Sequence, residues 1–144
     1  MYQTLILVGN LGKDPEMRYT PSGKPVTSFS VATSHQYTNN NVETVKETVW
    51  FRVTTWGKQA EVCNQYLKKG NKVLVEGRLT SDPATGGPRV WTGQDGTPRA
   101  SFEVNANTVR FLTSRNDGGS DNSGGGDMMG GGSFVGAPED DIPF

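Results

Sequence analysis

Hydrophobic positions along this chain recur mostly with a period of two, the spacing of strands whose successive side chains face opposite ways. Thr4 to Val8 is a short apolar run that Gly9 and Gly12 are expected to stop. Val26 to Thr33 is rich in Val, Thr and Phe, and Thr48 to Trp56 is a clear strand ended by Gly57. Lys72 to Thr80 and Ala100 to Leu112 complete a set of five predicted strands. Turn residues separate them: Asn39, Asn40 and Asn41 after the second, and Asp82, Pro83, Gly86, Gly87 and Pro88 after the fourth. Gly96 and Pro98 mark a further turn beyond Trp91.

One segment departs from this period. Lys58 to Lys69 has no Gly, Pro or Thr, and Ala60, Cys63, Tyr66 and Leu67 recur at helical spacing as one apolar stripe. Lys68 and Lys69 are expected in its last turn, where positive charge suits the helix dipole, with Gly70 as the C′ residue. Five strands with one short helix between strands 3 and 4 is the order of an OB-fold barrel, so the expected class is all-β. Residues 1–115 are assigned to this domain.

Composition divides the chain after that. Residues 116–144 hold nine glycines and little that could form a core, so they cannot bury enough apolar surface to offset the entropy of ordering. Residues 116–138 are expected to be a disordered Gly-rich linker with an r.m.s. span of roughly 25–30 Å. Charge divides at the same place. Residues 1–115 carry all 14 Lys and Arg against nine acids, a net of +5, while the remainder carries six acids and no Lys or Arg, a net of −6. A basic body with an acidic tail suggests a polyanion ligand for the first and a basic partner for the second.

The third predicted strand is the most informative. By parity Val49, Phe51, Val53 and Thr55 face one way and make a sensible core side. Trp50, Arg52, Thr54 and Trp56 face the other. Tryptophans are mostly buried, so packing under a loop or against another subunit is the plain reading of such a pair. Here the opposite parity is already apolar, and an arginine without a local acid lies between the rings, a poor fit to burial. Aromatic and basic residues interleaved on one face are what a base-stacking platform requires. Tyr37, before the Asn-rich loop, and Trp91, in the Gly/Pro-rich hairpin, are two further aromatics in turn regions. Arg18, Lys58, Lys69, Arg78 and Arg89 are spread through the domain. Singly each is a solvated surface charge; together they can track a phosphate backbone.

Other chemistries find little support. A single Cys, Cys63, excludes an intrachain disulfide and fits a small buried hydrophobe on the helix stripe. With His35 as the one histidine, a Cys/His zinc site within one chain is excluded too, and no metal or cofactor is expected. His35 has no nucleophile motif nearby and reads as a loop or strand-end residue. Asp14, Glu16, Glu43 and Glu47 lie in or beside turns without metal-ligand spacing. Gly9 and Gly12 lack the third glycine and the helix of a nucleotide fingerprint. The chain is therefore not expected to be an enzyme. No apolar run is long enough to span a membrane, and the N-terminus lacks the basic and apolar regions of a signal peptide, so a cytoplasmic protein is expected.

The last six residues are Glu139, Asp140, Asp141, Ile142, Pro143 and Phe144. Acids followed by an apolar, proline-stiffened end make a ligand for a basic-rimmed hydrophobic pocket. A merely solubilising tail would leave Ile142 and the terminal Phe144 without a purpose.

The chain carries Leu-Val-Gly-Asn-Leu-Gly-Lys-Asp-Pro-Glu-Met-Arg-Tyr (7–19), Val-Ala-Thr-Ser (31–34), Glu-Thr-Val-Trp-Phe-Arg-Val (47–53), Trp-Gly-Lys-Gln-Ala-Glu (56–61), Tyr-Leu-Lys-Lys-Gly (66–70), Val-Glu-Gly-Arg-Leu (75–79) and an Asp-Asp-Ile-Pro-Phe end. In these stretches it resembles the bacterial single-stranded DNA-binding protein family. They cover the domain and the tip in order. The resemblance implies a homotetramer of OB domains with single-stranded DNA wrapped around it, without sequence preference. It implies base stacking at Tyr37, Trp50, Trp56 and Trp91. Relatives often carry Trp at the first of these positions and Phe at the third, so both differ here but remain aromatic. Phosphate contacts are implied at Arg18, Arg52, Lys58 and Lys69, with Arg78 added from the basic residues above. The tip, residues 139–144, resembles the family's docking peptide for replication, recombination and repair enzymes. The chain departs from the family in a longer Thr80–Arg99 hairpin, with Asp-Pro-Ala-Thr-Gly-Gly-Pro (82–88) before Arg89. It departs again at Phe51, where some relatives place a His at a subunit contact.

Three other readings compete. An RNA-binding OB protein of the cold-shock type would carry a short aromatic RNA motif that this chain lacks. A nuclease would need clustered acids for a metal. A pure oligomeric adaptor would use its aromatics for assembly alone.

Overall fold

A computed structural model describes residues 1–113. The expectations for the linker and for the tip at residues 139–144 lie outside the described residues. Eight strands and one helix follow in the order β1 (Leu5–Leu11), β2 (Glu16–Tyr19), β3 (Pro25–Thr38), β4 (Thr44–Trp56), α1 (Lys58–Tyr66), β5 (Lys72–Thr80), β6 (Val90–Thr92), β7 (Pro98–Ala100) and β8 (Phe102–Phe111). The main sheet runs β1-β5-β8-β4-β3-β2, and a further β1–β3 pairing closes it. Five strands thus form a barrel, β2 extends its wall beside β3, and β6 and β7 form a separate two-stranded arm. The all-β class and the helix between the third and fourth barrel strands are as expected.

Alternation builds the core. Leu7, Leu11, Phe29, Val31, Val53, Val73, Val75 and Val104 point inward from five strands, and Cys63 and Leu67 reach them from the helical segment. Two threonines are buried with them. Thr27 Oγ1 donates to the Ala60 carbonyl at 2.6 Å, and Thr55 Oγ1 donates to the Thr27 carbonyl at 3.1 Å. The hydroxyls therefore enter the core with their hydrogen bonds made and tie α1 to β3.

Several boundaries differ from the sequence reading, each for a physical reason. β1 does not stop at Gly9 but continues to Leu11. A Cβ on Gly9 would lie 2.2 Å from the Ala32 carbonyl oxygen, so this glycine serves the close crossing of β1 over β3 that seals the barrel. α1 ends at Tyr66, and Leu67 already has extended backbone, so Lys68 and Lys69 lie beyond the helix and not in its last turn. Gly70 is not its C′ residue. With φ +88° it closes the following turn, and its N–H donates to the Leu11 carbonyl at 2.8 Å. Of the proposed stripe, Ala60, Cys63 and Leu67 are buried, while Tyr66 is half exposed with its ring 6.5 Å from that of Phe111.

β3 and β4 are longer than expected because they rise past the barrel as a two-stranded hairpin, paired without interruption from Val26↔Trp56 to Thr38↔Thr44. Tyr37 and His35 therefore lie in a strand and not in a loop, and Val49, assigned to the core side, sits near the barrel mouth and is 38% exposed. The single predicted strand from Ala100 divides into β7 and β8 at Ser101. The short strands β2, β6 and β7 carry too few residues for alternation to reveal them.

Candidate nucleic-acid interface

The outward face of β4 is the spine of the site. Trp56, Thr54, Arg52 and Trp50 share it by parity, with Trp50 and Trp56 53% and 44% exposed. Their cross-strand neighbours on β3 are Val26, Ser28, Ser30 and Ala32; the last three are small and leave Arg52 and Trp50 clear, while Val26 is buried beside Trp56. The two indoles lie six positions apart along the strand, about 20 Å.

Each ring has a distinct seat. The six-membered ring of Trp50 lies over Gly12, where a Cβ would fall 2.5 Å from Cζ3. The Gly12 N–H donates to the Ser30 carbonyl at 3.1 Å, which fixes the loop beneath the ring. Trp56 Nε1–H donates to Asn105 Oδ1 at 3.2 Å. Asn105 comes from β8, which pairs parallel to β4 with Thr54 opposite Asn105. The bond occupies the indole's one polar group and leaves its faces as the free surface, which favours stacking over base-specific hydrogen bonding.

Arg52 is exposed between the rings. A notch of about 130 Å³ beside it is lined by Lys13, Glu16, Ser28, Phe29, Ser30 and Arg52. The sequence offered no acid local to Arg52, but the β4–β8 pairing puts Glu103 in register with it. Among the described residues, ion pairs join only Lys13 to Glu16 at 3.5 Å and Arg99 to Asp95 at 3.3 Å, so Arg52 keeps its charge free.

The other basic residues flank this spine. Arg18 on β2 faces Val26, which faces Trp56, so the three form one row across the wall. Arg78 on β5 faces Asn105, which places it two strands from β4. Lys58 opens α1 just after Trp56. Lys69 lies in the turn after α1, where its backbone N–H donates to Asp14 Oδ1 at 2.8 Å.

Two of the four aromatics stand apart. Tyr37 is on the opposite parity of β3 from the residues that face Trp50, so it occupies the other side of the β3–β4 hairpin, stacked on His35 at 6.1 Å with an interplanar angle of 22°. Trp91 projects from the β6–β7 arm with Arg99 as its cross-strand neighbour and is 44% exposed. The arm's turn is braced by Asp95, which accepts from the Thr97 hydroxyl and N–H and from Arg99. These hydrogen bonds, the Thr97 hydroxyl foremost, hold the Asp95 carboxyl below its ordinary pKa. No group of three His, Cys, Asp or Glu among the described residues could hold a metal.

Comparison with known proteins decides the family. Residues 2–112 match the model of the single-strand binding protein family. The chain belongs to that family. Two curated single-stranded DNA-binding proteins, from Neisseria meningitidis serogroup A and serogroup B, are each 43% identical over 113 residues, covering 78% of this chain. The chain spans 61% of the length of these relatives. Among solved structures, a Plasmodium falciparum single-strand binding protein in complex with single-stranded DNA superposes with TM-score 0.64 at 24% identity, over 78% of this chain and 97% of that one. A deletion mutant of the Thermus aquaticus single-stranded DNA-binding protein superposes with TM-score 0.61 at 30% identity, over 78% and 51%. In this single-strand binding family member, Asn105 is a residue of the candidate site that the sequence reading did not single out, and Gly12 is one it read only as a strand-stopping glycine. Only the barrel brings them to the indoles, one across a parallel pairing and the other from the β1–β2 loop.

Proposed function

We propose that this chain binds single-stranded DNA without sequence preference, as a non-enzymatic coat that protects the strand. The observation that carries this reading is the Trp50–Arg52–Trp56 face, with two exposed indoles and, between them, an exposed guanidinium that has no ion pair among the described residues. Bases stack on Trp50 and Trp56, since every base has a π-face. Trp91 takes a further base on the β6–β7 arm, and Tyr37 takes one on the far side of the β3–β4 hairpin. Arg18, Arg52, Lys58, Lys69 and Arg78 contact phosphates, so affinity falls with salt.

The working form is a homotetramer. In support, Ile6 and Val8 stand 60% and 50% exposed on the outside of β1, with Leu74 beside Val8 in register. Phe51 and Phe102 form a ring pair at 5.7 Å, with Phe102 54% exposed. Patches of this kind mark interfaces. Residues 139–144 recruit enzymes of replication, recombination and repair, and the protein acts on DNA in the bacterial cytoplasm.

The test is competition for a labelled oligo(dT). Unlabelled single-stranded DNA should displace it at far lower concentration than duplex of the same sequence, and better than the matching RNA. Equal competition by duplex would refute the reading. Removal of residues 139–144 should leave strand binding intact or slightly tighter and abolish enzyme recruitment. Recruitment by the truncated chain would refute the role of the tip.

A further inference from the structure

The outward row of β4 does not end at Trp50. The β3–β4 register is continuous, so parity carries the same face on through Thr48 and Lys46 into the free-standing hairpin. From the helix end the row reads Trp56, Thr54, Arg52, Trp50, Thr48, Lys46: aromatic, threonine, cation, and again aromatic, threonine, cation. The repeat is six residues, about 20 Å.

Charge on the hairpin is segregated by face. Lys46 and Thr48 lie opposite Gln36 and Ser34, with no acid among them, and Ser34 and Thr48 join their hydroxyls at 3.3 Å. The hairpin acid Glu47 has the other parity and faces His35, and Glu43 at the tip accepts from Asn39. β8 pairs with β4 only from Phe51 to Thr54, so among the described residues no third strand covers Lys46. Lys46 is exposed, and among the described residues it has no ion-pair partner.

We propose that Lys46 is a phosphate-binding residue and that the strand track extends from Trp50 up the β3–β4 hairpin to reach it. The second unit, Trp50–Thr48–Lys46, then repeats the work of the first, Trp56–Thr54–Arg52. This rests on the single-strand-binding function proposed above. Two units of stacking ring and cation fit within the roughly 4–16 nucleotides that one OB domain covers.

The experiment measures poly(dT) affinity of the full chain against salt concentration for the wild type and for Lys46→Ala, Lys46→Arg and Glu47→Gln. Lys46→Ala should bind several-fold more weakly at low salt, and its slope of log K on log salt should fall by about 0.7, the loss of one single-strand phosphate contact. Lys46→Arg should restore both. Glu47→Gln, on the opposite face beside His35 and Tyr37, should change both far less than Lys46→Ala does. A Lys46→Ala protein with wild-type affinity and slope would overturn the proposal. So would equal and opposite effects of Lys46→Ala and Glu47→Gln, because the cation would then act only through net charge. A wild-type protein that fails to bind poly(dT) would instead remove the function on which the proposal rests.

Discussion

The indole of Trp50 rests on Gly12, and a single methyl group at that glycine would fall within 2.5 Å of the ring. One exposed aromatic of the candidate interface is thus held by a residue with no side chain, contributed by a loop far away in sequence.

Gly12→Ala should therefore tilt Trp50 off its seat while leaving the core untouched. Single-strand affinity should fall, by no more than the ~1–3 kcal/mol of one lost stacked base, with the melting temperature nearly unchanged. Calorimetric binding and thermal melts on the same variant check both halves. Wild-type affinity would mean that the ring's seat has no bearing on binding.

The bond from Trp56 to Asn105 makes a different claim. Trp56→Phe keeps a stacking surface and should retain most of the affinity, whereas Trp56→Ala should lose on the order of 1–3 kcal/mol. Asn105→Ala should leave the ring in place but looser, raising the rotational freedom of Trp56 fluorescence in a Trp50→Phe, Trp91→Phe background. Unchanged anisotropy in that background would show that the hydrogen bond does not hold the ring.

Barrel closure gives a prediction about stability. Gly9→Ala drives a Cβ into the Ala32 carbonyl, 2.2 Å away, where backbone and not a flexible side chain must yield. The expected cost is about 1–3 kcal/mol or more, as for overpacking elsewhere. Urea denaturation should show a lower midpoint with the same slope. A midpoint equal to the wild type's would mean that β1 and β3 are less tightly sealed than described.

Cys63 supplies a pH dependence. Burial pushes its thiol from 9.0 up to about 11, partly offset by hydrogen bonding with the Thr55 side chain. The folded pKa is the higher one, so the stability it contributes is present below pH 9 and lost as pH rises towards 11. The loss is on the order of 2–3 kcal/mol. Denaturation midpoints of wild type and Cys63→Ala between pH 8 and 11 should converge as pH rises. Parallel curves would show that the thiol does not titrate differently on folding.

Much of this molecule is legible in the chain because alternation is strong where strands are long. Thr48 to Trp56 displays both its faces in sequence: Val53 and Thr55 are buried, and Trp50, Arg52 and Trp56 stand outside. β5 ran where its residues indicated, from Lys72 to Thr80. What escaped was non-local. Gly9 reads as a strand breaker, yet it is a strand residue required by the chain that crosses it. Glu103 is brought into register with Arg52, and Asn105 within hydrogen-bonding reach of Trp56, only through a parallel pairing between strands some fifty residues apart. Tyr37 reads as a loop aromatic because the Asn-rich turn beside it hides how far the hairpin extends.

The central claim is that exposed indoles on the outer wall receive bases, and intrinsic tryptophan fluorescence tests it most directly. Titration of the full chain with poly(dT) at low and high salt should quench Trp emission strongly, with weaker binding as salt rises, and duplex DNA should leave the emission almost unchanged. Absence of quenching by poly(dT), with the oligomeric state unaltered, would contradict the account and leave Trp50, Trp56 and Trp91 to assembly alone.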